Sequence, residues 1–243
     1  MKSKAIYLTF LIFISSSTIN ANEKLNTDLN DQNNDCKNIT RDTVQERSFS
    51  NDFVGTFNGK KIEYKASLKE KIIYEKDNPN LPMASFFYTE YISKNTNQRP
   101  VIFSFNGGPG SASLWLHMGV LGPKVIKVPS NASDDGSPPY VIIDNKLSPL
   151  SDADLVFIDP VGTGYSRAIG CHEGEEFWGV SEDPKIIAEF IRRWITDNKR
   201  WNSPRYILGE SYGGIRGPLL VSELRSGSIT PIEVNGLLLV APA

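Results

Sequence analysis

After about position 50, apolar and polar residues alternate over short stretches, which is the pattern of half-buried β-strands. Residues 53–57 and 61–66 flank Asn58-Gly59, a dipeptide that favours the type I′ turn of a β-hairpin. Aromatic and β-branched residues form further strand-like runs at residues 84–92, 101–105 and 155–158. The last two runs are continuously apolar, which indicates strands covered on both faces. The pattern therefore predicts a hairpin followed by a sheet.

The last third of the sequence adds helices. Apolar side chains between residues 184 and 198 recur at the spacing of one helix face, namely Ile186, Ile187, Phe190, Ile191, Trp194 and Ile195. Asp183 is the expected N-cap, with Pro184 in the first turn. A strand at 206–208, a helix at 215–224 and a strand at 236–240 complete the pattern. Strands that alternate with helices are typical of a parallel α/β sheet.

Before this region the chain has a different character. Lys2 and Lys4 precede an apolar run at residues 5–14, so residues 1–21 are expected to be a signal peptide. Ten apolar residues are too few for a stable transmembrane helix. Residues 22–50 are polar and are predicted to be a flexible tail, and residues 51–243 to be the folded domain. The protein is thus expected to be exported to a periplasm, the exterior, or a vacuole or lysosome.

The composition and net charge of the chain bear mainly on which classes of partner it could bind. The formal net charge is −2 and 40% of the residues are hydrophobic, which fits one globular core and gives no electrostatic basis for binding nucleic acid or an anionic membrane. Export permits a disulfide, and Cys36 and Cys171 are the two cysteines of the chain. They form either one bridge or two unrelated thiols.

Candidate chemistry centres on Gly209-Glu210-Ser211-Tyr212-Gly213. In a strand, G-x-S-x-G, helix context the serine sits on a tight turn with its hydroxyl above the sheet. A serine nucleophile also needs N–H donors where the oxyanion forms. The glycine-rich run Asn106-Gly107-Gly108-Pro109-Gly110 follows an early strand and is placed to supply them. The two segments together predict an α/β-hydrolase active site with Ser211 as nucleophile.

Three blocks of the sequence resemble signatures of the serine carboxypeptidases, peptidase family S10. They are residues 106–111 (NGGPGS), 159–166 (DPVGTGYS) and 209–214 (GESYGG), in the family's order. Ser111 stands where many members have a cysteine, so a disulfide anchored there is not expected. The resemblance implies an α/β-hydrolase fold. The fold is expected to be truncated here after the strand at 236–240, which follows the helix behind the Ser211 turn.

The resemblance also implies roles at matched positions. Ser211 matches the acylated nucleophile, and the backbone N–H groups of Gly108 and Tyr212 match the oxyanion hole. Asn106, Gly107 and Glu210 match the group that binds the substrate's C-terminal carboxylate, so the implied partner is a peptide or protein with a free C-terminus. No cofactor or metal is implied. Residues 159–166 receive no catalytic role.

A triad base is missing from the expected place. In α/β-hydrolases the acid and the histidine follow the serine along the chain, yet the 32 residues after Ser211 contain neither aspartate nor histidine. His117 is predicted to be a packed or rim residue, and His172 to lie in a solvated acidic loop rather than a metal site. The chain alone is therefore expected to be nearly inactive, with an exposed apolar edge at residues 237–240.

Three functions fit these observations. The first is a serine-type carboxypeptidase that releases C-terminal residues through an acyl-enzyme on Ser211. The second is a serine carboxypeptidase-like acyltransferase on the same fold, which Asn106 and Glu210 argue against because they suit carboxylate recognition. The third is a non-catalytic secreted protein that binds a peptide terminus or a partner. The sequence leaves the oligomeric state open.

Overall fold

The computed structural model describes residues 38–95, 98–128, 131, 138–226 and 230–243. Its strands are β1 Ser48–Phe57, β2 Lys60–Tyr74, β3 Pro82–Ser93, β4 Val101–Phe105, β5 Lys124–Ile126, β6 Ile142–Asp144, β7 Asp154–Ile158, β8 Arg167–Ala168, β9 Arg205–Glu210 and β10 Gly236–Val240. Its long helices are α1 Glu182–Asp197 and α2 Gly213–Ser226. Short helical turns cover Leu114–Leu116, His117–Leu121, Pro149–Ser151 and Gly174–Phe177.

One mixed sheet organises these elements. Its strand order is β1-β2-β3-β7-β4-β9-β10, with β8 also paired to β3 and with β5 and β6 forming a separate ribbon. The first three strands and β7 pair antiparallel, whereas β7, β4, β9 and β10 run parallel. The predicted α/β sheet is therefore confirmed, and its parallel half carries α1 and α2 as crossover connections.

The predicted hairpin is present, with Asn58 and Gly59 both at positive φ as a type I′ turn requires. β1 begins at Ser48, five residues before the strand predicted at 53–57. Ser48–Ser50 pair with Lys69, Leu68 and Ser67, because β2 is long enough to offer them partners. The predicted signal peptide, residues 1–21, and residues 22–37 lie outside the described residues.

Both faces of the sheet are covered. Along β4 and β7, alternate side chains such as Phe103 and Val156 join a core with α1, where Phe190 and Trp194 are fully buried. Their neighbours Leu155 and Phe157 point to the opposite face and pack with Phe57 and Leu116. This alternation follows from the period of two in a strand, so the continuous apolar runs fill both layers.

Helix α1 shows the predicted apolar face but not the predicted cap. The helix begins at Glu182, with Ser181 in the N-cap position and no side-chain capping bond. Asp183 instead lies in the first turn and accepts a hydrogen bond of 2.6 Å from Arg216 Nε. A buried guanidinium competes successfully for this carboxylate because a charged donor makes the stronger hydrogen bond.

Strand β10 borders one side of the sheet in the described part of the chain. Its side chains from Leu237 to Val240 are each about two fifths exposed, as the sequence predicts for this edge. Cys171 is disulfide-bonded, and Cys36 lies outside the described residues. Within the described residues, no helix has the length and apolar character needed to cross a membrane.

A buried ion network holds Asp154, the first residue of β7, at the amino-terminal end of the parallel strands. The Asp154 carboxylate accepts hydrogen bonds from Ser93 N at 2.9 Å, Arg99 Nε at 3.2 Å and Arg200 Nη1 at 2.7 Å. Arg200 also donates to the carbonyl of Arg99. Asp154 is fully buried, so its charge depends on these donors for compensation.

Replacing Asp154 by Ala should lower the free energy of unfolding by about 3–5 kcal/mol, because it leaves the buried Arg200 guanidinium without its anionic partner. Urea denaturation followed by circular dichroism would measure this change. Asp152→Ala is the matched control, since Asp152 pairs with Lys60 at the surface and such pairs contribute less than about 1 kcal/mol. Equal effects of the two substitutions would contradict the assigned role of the network.

Candidate active site

Ser211 lies on a sharp turn between β9 and α2. Its φ is +54°, a left-handed conformation that non-glycine residues seldom adopt. Gly209 makes the turn possible, because a Cβ there would lie 2.6 Å from the carbonyl oxygen of Gly213. The Ser211 N–H donates to the Val240 carbonyl at 3.0 Å, which joins the turn to the end of β10. A serine held in such a strained turn has the geometry of a nucleophile elbow. We call residues 209–213 the elbow.

The glycine-rich loop at residues 106–111, here called the oxyanion loop, packs directly on the elbow. A Cβ on Gly107 would lie 2.5 Å from Tyr212 N, 2.7 Å from Glu210 O and 2.9 Å from Ser211 Cβ. Only glycine permits this backbone contact. Gly108 adopts a φ of +111°, and the Gly107 carbonyl accepts from Ser111 N at 3.1 Å. The structure thus brings the predicted oxyanion loop and the predicted nucleophile together.

Asn106 and Glu210 meet beside the nucleophile. Asn106 Nδ2 donates to Glu210 Oε2 at 3.0 Å, and Gly107 N donates to the same oxygen at 3.4 Å. Leu116 N donates to Asn106 Oδ1 at 3.1 Å, which fixes the orientation of the amide. Among the described residues, no hydrogen bond reaches Glu210 Oε1. The three residues predicted to bind a carboxylate therefore form one cluster, which is joined through Glu210 Oε2.

Arg216 is a buried residue that the sequence analysis missed. It lies on α2 and is 1% exposed, with its guanidinium between Asp183 and the oxyanion loop. A charged residue in the otherwise apolar or small stretch from Gly213 to Leu220 was the available signal. Such a residue needs a buried anion, and Asp183 provides it.

The block at residues 159–166 is hydrogen-bonded to Ser113, which follows the oxyanion loop, and is closed by a hydrogen bond between its own ends. Asp159 Oδ1 accepts from Ser113 N at 2.8 Å, while Ser166 Oγ donates to the Asp159 carbonyl at 2.7 Å. Burial raises the pKa of the Asp159 carboxyl, and the Ser113 N–H partly offsets that rise. Pro160 to Thr163 form one wall of a cavity of about 270 Å³ next to the oxyanion loop.

Neither histidine contacts the nucleophile. The ring of His117 stacks on Phe157 with centroids 4.6 Å apart, and Nε2 lies 2.6 Å from the Tyr91 hydroxyl. Burial lowers the pKa of His117 to about 4. The prediction that His117 is a packed or rim residue is therefore confirmed. Within the described part of the chain, no side chain hydrogen-bonds to the Ser211 hydroxyl.

His172 is held by two glutamate carboxylates, away from the nucleophile. It bridges Glu75 and Glu176, with Nε2 2.9 Å and Nδ1 2.8 Å from their carboxylate oxygens. Burial alone would lower the pKa of His172, but the two carboxylates outweigh burial and raise it. Among the residues that the structure describes, no group of three or more His, Cys, Asp or Glu side chains could hold a metal ion.

A serine elbow at the carboxyl end of a parallel strand, opposed by a glycine-rich loop from the adjacent strand, defines the α/β-hydrolase class. Within that class, the family model described as serine carboxypeptidase matches residues 75–242. That match covers well over half of the sequence, and this chain belongs to the serine carboxypeptidase family.

Individual relatives agree with the family assignment. Serine carboxypeptidase-like 9 of Arabidopsis thaliana is 31% identical over 163 residues, which cover 65% of this chain and 36% of that protein. Serine carboxypeptidase-like 13 of the same plant is 30% identical over 161 residues, or 65% and 35% of the two chains. This chain therefore spans little more than a third of the length of these curated relatives.

A solved structure supports the fold. A prohormone-processing carboxypeptidase from Saccharomyces cerevisiae aligns with a TM-score of 0.52 and 20% sequence identity. The alignment covers 71% of this chain and 38% of that one. At this level of identity the likeness concerns the α/β-hydrolase fold alone.

Replacing Gly107 by Ala should separate the oxyanion loop from the elbow, because the added methyl group would overlap the backbone of Tyr212. We expect a loss of about 1–3 kcal/mol in the free energy of unfolding, with shifted amide resonances for Ser211 and Tyr212. Gly110→Ala is the control, since a Cβ there meets no atom within 4 Å. Unchanged Ser211 and Tyr212 resonances in the Gly107 variant would refute the contact.

His117 should titrate with a midpoint of about 4 in an NMR titration of its imidazole. Because the folded pKa lies below the usual value of 6.5, the unfolded chain binds more protons between these two pH values. Stability should therefore fall as the pH drops through this window, by at most about 3 kcal/mol relative to His117→Phe. His172, the other histidine, is the internal control and should titrate above 6.5. A midpoint near 7 for His117 would reopen the question of a catalytic base.

Proposed function

We propose that this protein contributes the acylation site of a serine-type carboxypeptidase, which releases C-terminal residues from peptides or proteins. The observation that carries this proposal is the contact of Glu210 with Asn106 and Gly107 directly beside Ser211. A hydrolase that recognises only an acyl group has no need of a buried amide and a carboxyl at this place. A substrate with a free C-terminus would use both.

In the proposed reaction, Ser211 Oγ attacks the carbonyl carbon of the last peptide bond. The N–H groups of Gly108 and Tyr212 stabilise the negative oxygen of the tetrahedral intermediate. The C–N bond then breaks, the terminal amino acid leaves after its nitrogen gains a proton, and an ester remains on Ser211. Water hydrolyses that ester and restores the serine.

Proton transfer limits what this chain does alone. The Ser211 proton needs a base, and both histidines of the chain are committed elsewhere, His117 to the Tyr91 hydroxyl and His172 to two glutamates. We propose that the triad aspartate and histidine come from a region matching the part of the relatives that these 243 residues do not cover. The chain by itself is expected to bind peptide acids and to turn them over very slowly.

Recognition of the C-terminus has a built-in proton requirement. When a peptide carboxylate meets the Glu210 carboxyl, two negative charges in contact are unfavourable, so the pair shares one proton. Binding therefore takes up a proton, and the affinity for a peptide acid rises as the pH falls. A peptide amide has no such requirement, so its affinity does not follow this dependence.

Isothermal titration of the chain with a blocked dipeptide, N-acetyl-Phe-Leu, and with its amide tests this proposal. We expect the acid to bind at least about tenfold more tightly at pH 5, as a charge-assisted hydrogen bond warrants, with a smaller preference at pH 7. Glu210→Gln should abolish the pH dependence, since it removes the shared proton. Equal affinities for acid and amide would overturn carboxylate recognition and favour the acyltransferase alternative.

Two further variants control this titration. Glu175→Gln removes an exposed carboxylate from a helical turn on which none of the proposed site residues lies, and it should leave the preference for the acid unchanged. Ser211→Ala should retain acid binding, because the hydroxyl is assigned to acylation and not to carboxylate recognition. Loss of the preference in Ser211→Ala would show that the assignment of roles is wrong.

A further inference from the structure

Arg216 is a buried charged residue near the site whose role is not accounted for by the contacts described so far. It follows Ser211 by five residues, is almost completely buried, and has no part in the acylation or carboxylate contacts described above. A guanidinium loses its hydration when buried, so its presence demands strong compensating contacts. Those contacts show what it does.

The guanidinium makes three directed contacts. Nε donates to Asp183 Oδ2 at 2.6 Å and Nη1 donates to the backbone carbonyl of Asn106 at 2.7 Å. Nη2 lies 3.4 Å from the carbonyl of Pro109, a weaker contact. The rings of Phe105 and Tyr212 lie 5.2 and 5.3 Å from the guanidinium carbon and enclose it. Arg216 thus connects helix α1 to the oxyanion loop.

The contact with Asn106 has a geometric consequence. The Asn106 carbonyl and the Gly107 N–H belong to one planar peptide unit and point in opposite directions. Fixing the carbonyl on Arg216 therefore aims the Gly107 N–H away from Arg216, toward Glu210. A cationic donor on the carbonyl also polarises the unit and makes its N–H a better donor. The Gly108 N–H belongs to the next unit, whose carbonyl is held by Ser111 instead.

Few side chains of the oxyanion loop help to hold its position. The loop contains glycines at 107, 108 and 110, so it has few side chains with which to hold its own position. The cavity of about 270 Å³ lies against Pro109 and Gly110, and Arg216 itself forms part of its wall. Asn106 and Gly107 are themselves buried, so the carbonyl of the 106–107 peptide needs a donor within the protein, which Arg216 Nη1 provides at 2.7 Å.

We propose that Arg216 is a positioning residue for C-terminal carboxylate recognition, which aims the Gly107 N–H by holding the Asn106 carbonyl, and that Asp183 holds Arg216 in turn. The carboxylate part of this inference rests on the function proposed above. It assigns Arg216 to recognition of the C-terminus rather than to the oxyanion hole, because the Gly108 peptide has a separate support.

The test compares Arg216→Gln with Arg200→Gln in the full chain. Arg200 is the matched control because it is also buried and bonded to an aspartate and a backbone carbonyl, at the other end of the parallel strands. In Arg216→Gln we expect the preference for N-acetyl-Phe-Leu over its amide to fall about tenfold. We also expect the Gly107 amide resonance to shift, and its hydrogen exchange to accelerate, more than those of Gly108. Arg200→Gln should lose stability yet retain the preference and the Gly107 resonance.

The outcomes separate the two proposals. If the unmodified chain shows no preference for the acid, the proposed function fails, while the Gly107 resonance still tests the positioning role. If Arg216→Gln keeps both the preference and the Gly107 resonance, the positioning role is overturned. Should Arg216→Gln not fold, Arg216→Lys replaces it, because a lysine cannot reproduce the planar fork. Arg216→Lys should show an intermediate effect, and behaviour identical to the unmodified chain would refute the inference.

Discussion

Parallel pairing of β4 with β9, in the register that sets Phe105 opposite Gly209, is the constraint on which the site depends. Parallel strands leave the sheet at the same edge, so the residues that follow this pair, Asn106 and Glu210, emerge side by side. Their hydrogen bond of 3.0 Å is a direct result of that register. A shift by one residue would turn one of the two side chains to the opposite face and break the cluster.

The same register forces two loops into backbone contact. Gly107 and the Ser211–Tyr212 peptide occupy the space where side chains would otherwise meet, so the approach requires a residue without a Cβ. Backbone groups buried in such a contact still need hydrogen-bond partners. The carbonyls of the oxyanion loop therefore need donors on the side that faces away from the elbow. Arg216 donates to the Asn106 carbonyl, and its pairing with Asp183 keeps the buried guanidinium compensated.

Local sequence patterns predicted the elements that local physics controls. The Asn58-Gly59 hairpin, the apolar face of α1 and the turn at Ser211 follow from backbone preferences and side-chain periodicity within a few residues. The start of β1 was placed too late because the partner of Ser48 in the sheet is Lys69, which a local pattern does not reveal. The cap assigned to Asp183 was wrong for a related reason, since its partner Arg216 is 33 residues away.

By itself, the sequence determined the class of fold, the family and the positions of Ser211, Asn106, Gly107, Gly108, Glu210 and Tyr212 as site candidates, because each belongs to a short motif whose geometry is local. Only the tertiary structure decided which polar groups face one another across the sheet edge. It stacked His117 on Phe157, placed His172 between Glu75 and Glu176, and placed Arg216 behind the oxyanion loop. These contacts depend on strand order and register, which join residues far apart in the chain.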